Sequence, residues 1–168
     1  QFRRLITSSA RNGNVTTSYE YKFKPNSFQH NYVKTTNTFT PVAGSALTQT
    51  SSVQYLDGIG RLMQSVNVAG SPNHKDVVTA VAYDQYGRVN KEYVPFETNN
   101  ANGAYNFVNA AWKSTRYSYE DSPLSRVTST TPPGWYATST SYGTNGSSEV
   151  LNHATGGYYP ANSLSKTV

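Results

Sequence analysis

Five acidic residues, Asp57, Asp76, Asp84, Glu120 and Asp121, are the candidates for acid-base chemistry in this chain. Two carboxylates at a fixed separation suffice for glycoside hydrolysis, one as acid and the other as base or nucleophile. A structural reading competes with that one. Asp57 and Asp84 each open an acid-x-x-Gly-Arg turn, and Glu120-Asp121 stands just ahead of Pro123. Turn chemistry therefore accounts for them, no catalytic residue is assigned, and the chain reads as non-enzymatic. His30, His74 and His153 show neither HxH nor HxxxH spacing, so no metal site is expected. No GxSxG, HExxH or phosphate-cradling GxxxxGK[ST] occurs, and no cofactor is implied. Gly58-Ile59-Gly60 matches a fragment of a dinucleotide fingerprint but has no helix pattern after it, and reads as a turn.

Aromatic side chains are the second resource: 14 Tyr, 6 Phe and 2 Trp make up 13% of the chain. A row of them on a sheet can stack sugar rings. It can equally pack strand against strand, where each cross-strand pair contributes roughly 0.2–1 kcal/mol. Tyrosine suits a sheet with one wet face, because its ring packs while its hydroxyl still reaches water. Packing is the favoured reading. Trp135 and Tyr136, beside Pro132-Pro133-Gly134, are the expected exceptions and the candidate glycan-binding aromatics. The net charge of +5 is concentrated in residues 1–34, in Arg3, Arg4, Arg11, Lys22, Lys24 and Lys34 against Glu20. Such a stretch attracts nucleic acid or anionic glycans, but Lys along an edge strand also prevents sheet-to-sheet aggregation. The edge reading is preferred, and no nucleic-acid partner is expected.

The elements that must carry these residues are strands. Ser, Thr and Asn supply roughly a third of the chain, and the strong helix formers are scarce. With no Cys there are no disulfides or thiolate metal sites, and no apolar run approaches the ~18 residues of a membrane helix. Residues 18–24 alternate, with Tyr19, Tyr21 and Phe23 on one face and Glu20, Lys22 and Lys24 on the other. Further strand patterns run over 32–40, 50–56, 62–68, 77–83, 89–94, 116–119, 126–130, 138–142 and 150–152. Asp57-Gly58, Gly70-Ser71-Pro72-Asn73, residues 99–103, Pro132-Pro133-Gly134 and residues 143–146 supply turns between them. One or two helical turns are expected near 109–115. Close strand spacing without crossover helices predicts an all-β fold of antiparallel hairpins. The chain divides into a basic β segment, 1–50, and a hairpin segment, 51–168. It opens without Met and closes on a strand-like pattern, so a piece of a longer polypeptide is expected.

One pattern repeats. Leu56-Asp57-Gly58-Ile59-Gly60-Arg61-Leu62 aligns with Tyr83-Asp84-Gln85-Tyr86-Gly87-Arg88-Val89, and a degraded copy runs from Tyr119-Glu120 to Arg126-Val127 with Ser125 in the glycine position. Asp at the first turn position accepts backbone N–H groups. The glycine three residues later supplies positive φ, either closing a β-turn or forming a hairpin bulge. The Arg just past the tip has a planar fork that can reach carbonyls or carboxylates of the neighbouring unit. Asp57, Gly60, Arg61, Asp84, Gly87, Arg88 and Arg126 are thus the candidate hairpin-tip residues. Ser125 leaves open whether the third hairpin closes as the other two do.

Tyr83-Asp84-x-x-Gly87-Arg88 resembles the signature of the YD-repeat (Rhs) proteins. The wider succession, residues 54–66, then 83–96 with Glu92-Tyr93-Val94-Pro95-Phe96, then 119–127, resembles the segment ahead of the main repeats in Bacteroidetes-type Rhs repeat-associated core proteins. Residues 157–167 resemble that segment's exit into later repeats. The likeness covers about residues 50–168 and is loose before that, around Asn31-Tyr32-Val33. It implies a spiralling β-sheet wrapped into a shell that, in bacterial relatives, encloses a toxic C-terminal domain, and in teneurins serves adhesion. It also implies an exported or cell-surface bacterial protein, sent out by the type IX route. The partners so implied are the remaining repeats and C-terminal domain of the same polypeptide, and the outer-membrane secretion machinery. The family's autoproteolytic motif does not occur here. The alternative is a cell-surface glycan-binding or adhesion module using exposed Tyr and Trp.

Overall fold

The computed structural model describes residues 5–9, 15–22, 30–39, 48–109 and 113–145, and the backbone of 165–167. Residues 3–4, 11, 23–24, 40, 110–112, 146, 150–153 and 157–164, to which the sequence pattern assigned charge, strand, helix, turn, aromatic, histidine or exit roles, lie outside the described residues. Two compact units divide between Ser114 and Thr115.

The first unit is a single antiparallel sheet. Its strands are β1 (Thr7–Ser9), β2 (Val15–Lys22), β3 (Asn31–Phe39), β4 (Thr48–Leu56), β5 (Leu62–Val68), β6 (Val77–Tyr83), β7 (Val89–Tyr93) and β8 (Phe96–Glu97). Strands β1 to β7 pair in sequence order, so each strand lies beside its predecessor. The described strands of the N-terminal segment, β1 to β3, thus join the same sheet as β4 to β7. Strand β8 pairs with β6 on the edge that β7 occupies further along. The break falls at Val94-Pro95, where proline has no N–H for a ladder. The second unit holds β9 (Ser114–Tyr119), β10 (Val127–Thr131) and β11 (Thr138–Ser139) in one antiparallel set, and β12 (Tyr142–Thr144) paired with β13 (Ser165–Thr167). Among the described residues there is no helix. The turn of helix expected near 109–115 gives way to strand from Ser114, where β9 begins. The strand expected over 138–142 is divided between β11 and β12.

The core lies on one face of β4, β5 and β6. Cross-strand pairing aligns Val53 with Val66, Tyr55 with Gln64, Val66 with Val78 and Gln64 with Ala80. All six are buried, and Val66 and Val78 completely so; full burial of a Val side chain stabilises by about 1.5–3 kcal/mol. The other half of the sheet is hydroxyl-rich. There Thr17 Oγ1 donates to Asn37 Oδ1 at 2.8 Å, Thr36 and Ser51 hydroxyls meet at 3.0 Å, and Gln49 Nε2 donates to Thr38 Oγ1 at 3.2 Å. The Ser, Thr and Asn excess is thereby consumed as cross-strand pairs.

A strap of non-strand chain, 98–107, covers the apolar face and is held by buried polar side chains. Gln64 Nε2 donates to the Asn106 carbonyl at 2.8 Å and its Oε1 accepts the Asn106 N–H at 2.9 Å, so a side-chain amide makes the two bonds of a ladder rung. Tyr55 Oη donates to the Gly103 carbonyl at 2.6 Å. Asp76, fully buried, accepts the Gly103 N–H on Oδ2 at 2.7 Å and the Ala69 N–H on Oδ1 at 2.9 Å. Its backbone N–H donates to the Asn100 carbonyl, and its carbonyl accepts the Thr98 N–H. Buried polar groups are tolerated only when satisfied in this way.

Two substitutions test the strap. At Gly103, with φ of 75°, an added Cβ would sit 2.8 Å from Val53 Cγ2 and 2.9 Å from Val68 Cγ2. Gly103→Ala is expected to cost ~1–3 kcal/mol. Asp76→Ala strands two buried N–H groups and is expected to cost ~2–5 kcal/mol. Urea denaturation of the whole chain reads both, and an unchanged midpoint in either would show that the strap does not seal the core.

Candidate functional site

The seven candidate tip residues all sit at hairpin ends, and the three turns share one geometry. Asp57 N–H donates to the Arg61 carbonyl at 2.9 Å, Asp84 to Arg88 at 2.8 Å and Glu120 to Arg126 at 3.0 Å. The inner β-turn is closed by Gly60 N–H on the Asp57 carbonyl, Gly87 N–H on Asp84 and Ser125 N–H on Ser122. Gly60 and Gly87 have φ of 90° and 82°, and Ser125 has φ of 50°. The third hairpin therefore does close like the others, with a serine in the left-handed region that glycine enters more easily. Leu56 pairs with Leu62, Tyr83 with Val89 and Tyr119 with Val127. In each hairpin the register then slips by one residue on the return strand, leaving Met63, Asn90 and Thr128 as bulge residues.

Each turn acid is fully engaged. Asp57 Oδ1 accepts the N–H groups of Ile59 and Arg61, at 3.0 and 2.8 Å, and its Oδ2 accepts Arg61 Nε at 2.7 Å. Asp84 does the same with Tyr86 and Arg88. Glu120 takes Arg126 Nε at 2.7 Å on Oε1 and Arg126 Nη2 at 2.9 Å on Oε2, with the Ser122 hydroxyl also on Oε1. The Arg fork thus closes on the carboxylate of its own turn rather than reaching a neighbour's.

What reaches the neighbour is the face of the guanidinium. Arg61 stacks over the Tyr83 ring, its Cζ 4.3 Å from the centroid, while Tyr83 Oη donates to the Leu62 carbonyl at 2.8 Å. In the second unit Arg126 stacks over Tyr142 at the same 4.3 Å, and Tyr142 Oη donates to the Val127 carbonyl at 2.9 Å. In both brackets the Arg of one hairpin takes a Tyr from the next, whose hydroxyl returns to the residue after that Arg. Sequence reasoning assigned no such role to Tyr142, because no acid follows it; the Arg-to-next-Tyr order in the first bracket is the signal that finds it. Gln64 and Asp76 were also missed as structural residues. Their signal is a polar residue set inside an apolar strand face, or next to one.

Of the five acids considered for catalysis, Asp57, Asp84 and Glu120 are held in turns and Asp76 holds the strap; Asp121 is exposed. Among the described residues no three His, Asp or Glu gather as a metal site would need. Trp135 and Tyr136 stand out from the second unit, 76% and 95% exposed, on the turn that Trp135 N–H closes to the Pro132 carbonyl.

The turn acids ionise more readily than free carboxyls. Desolvation opposes ionisation at Asp57 and Asp84, but the side-chain and backbone hydrogen bonds of the turn hold both below the usual value. At Glu120 the hydrogen bond from Arg126, then that from Ser122, lowers the pKa from 4.5 to about 2. A group whose pKa falls on folding stabilises the fold above its unfolded value and loses that contribution as pH drops through the folded one. The contribution of Glu120 is therefore complete above pH 4.5 and vanishes on going down through about 2. Carboxyl-carbon NMR is expected to place its titration midpoint near 2; a midpoint at the free value would show that Arg126 does not hold it. For the Tyr bracket, Tyr83→Phe keeps the ring under Arg61 and loses one hydrogen bond, ~0.5–1.5 kcal/mol. Tyr83→Leu loses the stacking as well and is expected to melt lower still; equal melting of the two variants would remove stacking from the bracket.

Comparison with curated proteins and with solved structures returns no match. A family model does match, over residues 28–149, and that span takes in the three hairpin turns, the strap and both Arg–Tyr brackets. It is described as a domain of unknown function, DUF6443. Since the match covers well over half of its residues, the chain belongs to the DUF6443 family.

Proposed function

We propose that this chain is a non-enzymatic structural segment of an exported bacterial Rhs/YD-repeat protein, contributing hairpins to a β shell around a toxic C-terminal domain. The observation that carries the reading is the Arg–Tyr bracket, which ties the first and third tips to the chain that follows rather than to a ligand, while Arg88 at the second tip stacks on Tyr86 of its own turn. Units that contact only their neighbours build quasi-one-dimensional arrays, extended by adding copies and able to curve through a small rotation per repeat. Three turns that each place a left-handed residue just before the Arg and a bulge just after it, the third through a longer loop with Ser125 for glycine, are the parts such an array needs. The engagement of four of the five candidate acids in holding the fold supports a non-enzymatic role. On this reading the partners are the later repeats and the C-terminal domain of the same polypeptide, and the outer-membrane secretion machinery during type IX export, with the finished protein secreted or at the cell surface.

A second reading, a cell-surface glycan-binding or adhesion module, is favoured by one observation. Trp135 and Tyr136, consecutive in the chain, are both largely exposed, as stacking residues are.

Limited proteolysis of the parent polypeptide, carried through to its C-terminal domain, separates the two. The shell reading expects that domain to resist protease in the native chain. Combining Arg61→Ala with Arg126→Ala should speed its cleavage by about tenfold or more, because local opening of the brackets exposes it. Cleavage at the same rate with this segment deleted would overturn the shell reading.

A further inference from the structure

Beside the first hairpin tip and the end of the strap, with the Arg61–Tyr83 bracket in its wall, lies an open groove of about 450 Å³. Its lining includes Asp57, Arg61, Tyr83, Tyr93, Tyr105 and Phe107, and its size falls in the ~300–1,000 Å³ range of small-molecule sites. Two properties set it apart from an ordinary surface furrow. The first is an aromatic wall. The Tyr105 ring is held edge-on by Tyr55 at 5.2 Å and lies 3.8 Å from the His30 ring, and Phe107 meets it edge-on at 5.5 Å. Phe107 is nevertheless 86% exposed, its ring open to solvent. The second is a set of polar groups with unused capacity. The terminal guanidinium nitrogens of Arg61 and the hydroxyls of Tyr93 and Tyr105 make no hydrogen bond to any of the described residues, while Arg61 Nε and the Asp57 carboxylate hold each other in place.

Aromatic faces beside pre-positioned donors and acceptors suit a ligand with an apolar face and a rim of hydroxyls, which is the chemistry of a pyranose ring. The Arg61 and Asp57 charges cancel, so the groove offers a net positive charge to no anion and a net negative charge to no cation. We propose that this groove is a carbohydrate-binding site for a neutral hexose or pentose unit of a glycan. The sugar stacks on Phe107 and Tyr105, and its hydroxyls are met by the terminal nitrogens of Arg61 and the two phenols. This site lies in the first unit and is separate from Trp135 and Tyr136. It is also independent of the shell reading: a chain that shields its C-terminal domain but binds no sugar keeps that reading and loses this one.

The test is titration of the whole chain with maltohexaose, mannohexaose, xylohexaose and chitotetraose, with a heparin hexasaccharide as the anionic counterpart, followed by calorimetry and NMR. At least one neutral probe is expected to saturate below about 10 mM and to shift the resonances of Tyr93, Tyr105 and Phe107. Phe107→Ala, at an exposed position that leaves folding intact, should weaken that binding by about tenfold. Tyr93→Phe should weaken it less, and Trp135→Ala should leave it unchanged. The proposal is overturned if no neutral probe binds by about 10 mM or only the heparin fragment does. It is likewise overturned if Trp135→Ala abolishes binding that Phe107→Ala leaves intact.

Discussion

A guanidinium group has an edge and a face, and this protein uses both at once. The edge of Arg61 or Arg126 hydrogen-bonds to the carboxylate of its own turn, which fixes the plane of the group. The face then offers a flat cationic surface at a set height, and the tyrosine of the next hairpin lies on it. Lysine could supply the charge but neither the plane nor the fork. Because the tyrosine hydroxyl returns to the carbonyl after the arginine, the bracket joins its two partners at two points, the stack and that hydrogen bond. An isolated two-stranded hairpin is marginal in water, and this link adds to the β5–β6 ladder that already joins the first hairpin to the second.

The same economy explains the core. Few large apolar side chains are fully buried, and the sheet is sealed largely by polar groups with every bond made: Gln64 against Asn106, Tyr55 against Gly103, Asp76 against Gly103 and Ala69. A polar seal of this kind is directional where an apolar one is not. It specifies that the strap crosses the sheet at one place and in one orientation, with Gly103 the point where no side chain fits against Val53 and Val68. The strap in turn carries Tyr105 and Phe107 to the mouth of the groove beside the first tip, so the seal of the core and the shape of the candidate sugar site are one construction.

Much of this was legible in local sequence. The alternation of Tyr19 and Tyr21 placed both on one face, where their rings now stack at 6.4 Å. The acid-x-x-Gly-Arg pattern gave the turn, the left-handed residue and the pairing of the apolar residues that flank it. Ser125 shows the limit of that reading, since a residue type that disfavours positive φ still adopts it when Glu120 and Arg126 clamp the turn from outside. The helix expected near 109–115 fails from Ser114 onward for a related reason, because strand pairing in the second unit overrides a weak, uncapped propensity. Asp76 read as one acid among several, because nothing in its neighbours along the chain announces a strap arriving from residue 103.

The sequence by itself determined what is settled within about five residues. That includes strand identity from alternation and turn position from Asp and Gly, whereas the Arg read as reaching the neighbouring unit closes on its own acid four or six positions away. Tertiary structure alone decided which tyrosine lies on which arginine, that Gln64 serves as a ladder rung for the strap, and that Asp76 is buried and holds the strap at Gly103. The physical reason is range. A turn's hydrogen bonds close within one short loop. The Arg61–Tyr83 and Asp76–Gly103 contacts need a whole strand's register, a bulge and the direction of a distant strap to be in place before the two side chains can meet.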